Sequence, residues 1–89
     1  MIKEKTKTGF KFEVDGDVVR DMEFIELAAA SQEDGLLLPK VIELVLGTEQ
    51  KKALYDHVRN ENGRVIVDDV SREFGEILDA INEAFETKN

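Results

Sequence analysis

Apolar and polar positions alternate over residues 9–14, with Phe10, Phe12 and Val14 on one side and Lys11 and Glu13 on the other. A period of two built from aromatic and β-branched residues predicts a half-buried strand. Asp15-Gly16-Asp17 ends it, and Asp17 has the chemistry of an N-cap. From residue 18 to about residue 32 the spacing turns helical. Val18, Met22, Ile25 and Ala29 form one stripe, assigned to the core. Phe24 and Leu27 lie away from that stripe, so this helix touches two things. Either another element of the domain covers the second patch or a partner does. Phe24 and Leu27 are therefore the candidate partner-binding or self-association residues.

Residues 36–47, Leu-Leu-Leu-Pro-Lys-Val-Ile-Glu-Leu-Val-Leu-Gly, are the most apolar stretch and contain the sole proline. Proline disfavours helical geometry in the residue before it, which predicts an extended Leu38 and a helix starting at Pro39. Gly47 is a natural stop. Because apolar residues cover more than half its circumference, this segment is expected to be the central buried helix. Thr48 then caps a third helix through about residue 60, with Leu54, Tyr55 and Val58 as a thin apolar stripe. Asn60-Glu61-Asn62-Gly63 is a turn, and residues 64–67 are a short β-prone run that could pair with residues 9–14. Asp68 caps a final helix over residues 69–86, in which Val70, Phe74, Ile77, Leu78, Ile81, Ala84 and Phe85 occupy one arc.

These elements predict a predominantly α-helical α+β domain spanning residues 1–89. It has an N-terminal strand and four helices centred near residues 25, 43, 54 and 78. A short two-stranded ribbon is open, and residues 1–8 and 87–89 are expected to fray.

Charge narrows the function classes. The net charge is −8. Residues 1–12 carry four lysines against one glutamate, whereas residues 13–34 carry eight acids against Arg20 alone. Such a chain should repel nucleic acid and favour basic partners. No apolar run is long enough to span a bilayer, which argues against a membrane partner. The lysine-rich start lacks the apolar run of a signal peptide, so a cytoplasmic protein is expected. The sequence has no cysteine and one histidine, hence no thiol nucleophile and no zinc site of the usual kind.

Candidate chemistry is sparse. His57 has no second histidine to pair with and reads as a surface residue. Asp15-Gly16-Asp17 resembles the start of a calcium loop but lacks its later ligands. Asp68-Asp69 and Glu73-Glu76 read as cap and solvated face. The basic patch of Lys51, Lys52, His57, Arg59 and Arg64 is interleaved with acids. No catalytic, cofactor-binding or metal residues are assigned, and an enzyme is not expected.

Several phrases taken in order carry a resemblance. They are Thr6-Lys7-Thr8-Gly9-Phe10-Lys11-Phe12-Glu13-Val14-Asp15, Asp21-Met22-Glu23 and Leu38-Pro39-Lys40-Val41. Gly47-Thr48-Glu49-Gln50-Lys51-Lys52-Ala53-Leu54-Tyr55-Asp56-His57 and Asn62-Gly63-Arg64-Val65 follow. In these the chain resembles the small tail assembly chaperones of long-tailed, siphovirus-type phages and prophages of Gram-positive bacteria. Ile66 stands where members of that family often carry proline. The resemblance implies a non-catalytic protein of the bacterial host cytoplasm, absent from the mature virion. Its implied partners are the tape-measure protein and the major tail protein, and a homo-oligomer is open. Two other classes stay open beside it. One is a structural tail or head–tail connector subunit, and the other is an acidic decoy of a basic nucleic-acid-binding protein.

Overall fold

The computed structural model describes residues 1–86, without the side chains of Phe85 and Glu86. Among the described residues the chain forms two antiparallel strands, β1 (Ile2–Lys5) and β2 (Lys11–Val14), and three α-helices. The helices are α1 (Met22–Glu33), α2 (Leu38–Val58) and α3 (Val67–Glu86). Short 3-10 turns at Gly16–Arg20 and Gly35–Leu37 lead into α1 and α2. The protein is thus predominantly helical α+β, with three helices rather than four.

Residues 1–8 are ordered rather than frayed. β1 pairs with β2 in the register Ile2↔Val14 through Lys5↔Lys11. This hairpin replaces the ribbon expected between residues 9–14 and 64–67, and residues 64–66 form no strand and lead into α3. The hairpin loop explains the preference: the Thr6 and Gly9 amides both close it, onto the Phe10 and Thr6 carbonyls. A partner this close along the chain costs far less loop-closure entropy than one some fifty residues away. The expected fraying at residues 87–89 lies outside the described residues.

The alternation in β2 holds. Phe10, Phe12 and Val14 turn inward against α2 and α3, where Val41, Ile42, Val45, Leu46, Leu54, Val70, Phe74, Ile77 and Ile81 complete one buried cluster. Gln50 of α2 fastens the outer side of β2. Its amide accepts from the Glu13 N–H and donates to the Glu13 carbonyl, each at 2.8 Å, as a neighbouring strand would.

The inward face of α1 is the reverse of the expected one. Met22 (65% exposed) and Ile25 (47%) point to solvent with Ala29, while Phe24 is buried and Leu27 and Ala28 pack against the core. The 3-10 turn at Gly16–Arg20 is the cause. It ends before Asp21, whose side chain accepts from the Glu23 N–H and caps a new helix. Val18 and Met22 therefore belong to different helices and share no stripe. With phase reset at Asp21, burying an aromatic ring and a leucine outweighs burying Ile25 and Ala29.

α2 is two helical segments joined at a kink. Gly47 adopts φ 82° and ψ 167°, open to glycine and strongly unfavourable for other residues, so the first helical segment stops there as expected and a second continues beyond the kink. Leu38 is helical (φ −54°, ψ −44°) despite preceding Pro39, because the 3-10 turn capped by Asp34 has already wound the chain. Two side chains bridge the bend. Gln50 donates to the Leu46 carbonyl at 2.8 Å, and Lys51 Nζ lies 2.8 Å from Glu43 Oε1. The Glu43 hydrogen bond raises the Lys51 pKa above the ordinary value of 10.5, against an opposing effect of desolvation. A raised pKa in the folded state stabilises fully below the unfolded value and is lost as pH rises through the folded one. Glu43 is half exposed, so Lys51→Met should cost no more than about 1 kcal/mol at neutral pH. Urea titrations in steps above pH 10.5 should show that difference closing.

Candidate docking surface and the hairpin clasp

Glu23, Glu26, Leu27 and Ala30 follow at i, i+3, i+4 and i+7, which places them on one face of α1. That face adjoins Leu44 of α2, and together the five residues line an open groove between the two helices. Leu27, Ala30 and Leu44 supply apolar surface, Glu23 and Glu26 supply negative charge, and no basic side chain lines the groove. Of the two candidate partner-binding residues, Leu27 lines this groove. Phe24 (8% exposed) turns into the core and serves as its support. An apolar floor with an acidic rim suits a helix bearing an aliphatic stripe flanked by lysine or arginine.

A second constellation gathers where the hairpin loop meets α2 and α3. Glu73 is fully buried, whereas the sequence placed it on a solvated face. Its carboxylate accepts from the Thr6 hydroxyl at 2.6 Å and from the Thr8 hydroxyl at 2.9 Å. The Thr6 oxygen in turn accepts from the Phe10 N–H, and Glu76 accepts from the Lys7 N–H at 2.8 Å. His57 Nε2 lies 2.9 Å from the Thr8 oxygen. A threonine, a histidine and a glutamate in contact invite comparison with a nucleophilic triad. The proton inventory opposes that polarity. Thr8 has one hydroxyl proton, and it goes to Glu73, so His57 Nε2 must carry a proton and donate. The histidine therefore does not accept the threonine proton. The cluster clasps the N-terminal hairpin to the helices, and no buried polar side-chain atom among the described residues lacks a partner.

The sequence shows the position of Glu73 on its helix but not its donors. It sits three residues after Val70 and four before Ile77, at the edge of the apolar arc of α3.

The basic patch is largely engaged within the chain. Lys51 meets Glu43, and Arg59 meets Asp56 and the Gly63 carbonyl. Among the described residues no group of three or more histidine, cysteine, aspartate or glutamate side chains could hold a metal ion. No described helix is long and apolar enough to cross a membrane. Comparisons with protein-family models, curated proteins and solved structures find no match.

Proposed function

We propose that this protein is a non-catalytic tail assembly chaperone of a long-tailed phage or prophage of Gram-positive bacteria. In this reading it works in the host cytoplasm and is absent from the mature virion. The groove between α1 and α2 receives an amphipathic, lysine-bearing helical segment of the tape-measure protein, which major tail protein later displaces. The observation that carries this reading is the groove itself, with the apolar Leu27, Ala30 and Leu44 beside the acidic Glu23 and Glu26. The ordered phrases shared with such chaperones supply the identity of the partner. A shallow groove suits weak, repeated contacts that a polymerising tube can strip away.

Co-expression with the neighbouring tape-measure gene product, followed by pull-down at low and high salt, tests the proposal. The tape-measure protein is expected to become soluble and to co-purify at both salt concentrations. Leu27→Glu with Leu44→Glu should abolish co-purification, and Glu23→Lys with Glu26→Lys should weaken it at low salt. Helical circular dichroism checks that each variant stays folded, and the exposed Glu23 and Glu26 keep the test valid if the leucine pair unfolds. Co-purification that vanishes at high salt supports the acidic-decoy class instead, because a purely electrostatic contact is screened. A tape-measure protein that stays insoluble beside a folded chain removes the chaperone reading.

A further inference from the structure

The free edge of β1 lies on residues the proposed groove does not use. β1 and β2 stand in the register Ile2↔Val14 through Lys5↔Lys11, and the Thr6 N–H donates to the Phe10 carbonyl. Bonded and non-bonded positions alternate along an antiparallel pair. Ile2↔Val14 and Glu4↔Phe12 are therefore the bonded pairs, and Lys3 and Lys5 turn their backbone groups away from β2. Glu13, opposite Lys3, shows the same phase, because its N–H and carbonyl point the other way and meet Gln50. Gln50 thus closes the β2 edge at Glu13. Among the described residues no group outside the hairpin bonds the backbone of Lys3 or Lys5. Each of these two lysines offers a backbone donor and an acceptor in strand geometry.

An open groove of about 760 Å³ separates β1 from α3, within the size range of ligand clefts. Its charged lining is Glu4, Lys5, Lys7, Glu76, Asp79 and Glu83, four carboxylates against two ammonium groups. The two faces of β1 differ in sign. Glu4 pairs with buried Phe12 and so lies on the face turned to the helices, whereas Lys3 and Lys5 pair with exposed Glu13 and Lys11 on the outer face. From this juxtaposition we infer that an extended segment of another protein adds to β1 as a third strand, with side chains that alternate in sign. Its acids lie directly opposite Lys3 and Lys5, and its lysines or arginines turn inward to Glu4, Asp79 and Glu83. Main-chain bonds supply the attachment and the alternating charge selects the segment. The same pattern opposes a second copy of this chain. Every antiparallel register that engages Lys3 and Lys5 of both copies sets lysine opposite lysine, and like charges directly opposite are destabilising. Strand addition is independent of the tape-measure reading and leaves the α1–α2 groove open.

Titrating the full chain with the end-blocked peptide Val-Lys-Glu-Lys-Glu-Val, followed by amide NMR and hydrogen exchange, tests it. The Lys3 and Lys5 amides should shift and exchange more slowly, while those of Ile2 and Glu4, already bonded to β2, change little. Val-Lys-Lys-Glu-Glu-Val has the same composition but sets both signs on each face, and it should bind at least about tenfold more weakly. Asp79→Lys with Glu83→Lys should weaken the first peptide by roughly tenfold, with an unchanged circular dichroism spectrum because both positions are exposed. The comparison of the two peptides on the parent chain decides the matter even if that variant unfolds. Lys3 and Lys5 amides that ignore millimolar peptide overturn the inference, as do shifts confined to α3, which mean charge pairing without strand addition. Equal binding of the two peptides overturns it too. Protection of Lys3 and Lys5 that rises with protein concentration alone makes a second copy the occupant and overturns the foreign strand.

Discussion

Replacing Glu73 by alanine is expected to destabilise the protein by about 3–4 kcal/mol, a large share of the roughly 4–13 kcal/mol typical of a chain this long. The carboxylate is buried and accepts from two threonine hydroxyls, of which Thr6 is itself buried. Alanine leaves the buried Thr6 hydroxyl only its long contact to the Thr8 oxygen at 3.3 Å, and a poorly satisfied buried donor costs about 1–3 kcal/mol. It also removes most of a side chain that fills space beside Ile77. Glu76→Ala, which loses a more exposed acceptor for the Lys7 N–H, should cost under about 1 kcal/mol. Urea denaturation of the two variants reads this contrast. A cycle sharpens it: Glu73→Leu combined with Thr6→Val should cost less than the sum of the single changes, since removing both partners strands neither. Amide exchange at Phe10, whose N–H is held by the Thr6 oxygen, should accelerate in Glu73→Ala more than exchange within α3. Equal and small losses in Glu73→Ala and Glu76→Ala would mean that the clasp does not hold the hairpin.

The clasp also marks where sequence pattern stops being informative. The β2 alternation and the α3 arc were legible because one buried face imposes a single period, and Phe12, Phe74, Ile77 and Ile81 are all buried. β1 was not legible. Its residues Ile2-Lys3-Glu4-Lys5 carry one apolar side chain, and what makes them a strand is the loop geometry at Thr6 and Gly9. α1 was legible as a helix but not in its orientation, since it has two apolar stripes and a 3-10 turn resets their phase. Glu73 was misread because charge outweighs position in any hydropathy pattern. Its partners lie 67 and 65 residues away. A buried carboxylate can be recognised only with its donors, and those came from a segment that appeared to have no structure.

The candidate site follows the same logic. Leu27 was singled out because it fell off the stripe assigned to the core, and it does line the groove. Leu44 and Ala30 were not singled out, because the groove exists only once α1 and α2 are packed. The exposure of Leu36 was hidden differently. Three consecutive leucines looked like uniform core, but the turn at Gly35–Leu37 points the first of them outward.

Phe24→Ala is the substitution expected to separate support from surface on α1, at a cost of about 3–4 kcal/mol. Phe24 is the residue of α1 buried in the core cluster, while Leu27 and Ala28 only pack against it. Losing the ring removes the main anchor of a twelve-residue helix too short to persist alone in water. The helical signal should therefore fall in the same cooperative transition as the rest of the domain, at a lower urea midpoint. Leu27→Ala, half-buried at the groove, should cost about 1–2 kcal/mol, and Ile25→Ala, on the solvent face, less than about 0.5 kcal/mol. That ordering of Phe24, Leu27 and Ile25 is the reverse of the one implied by a core stripe of Met22, Ile25 and Ala29. Urea midpoints for the three variants decide between the two orientations of α1, and with them whether Leu27 and Leu44 stand on one groove. An Ile25→Ala loss larger than that of Phe24→Ala would turn the helix over and dissolve the groove with it.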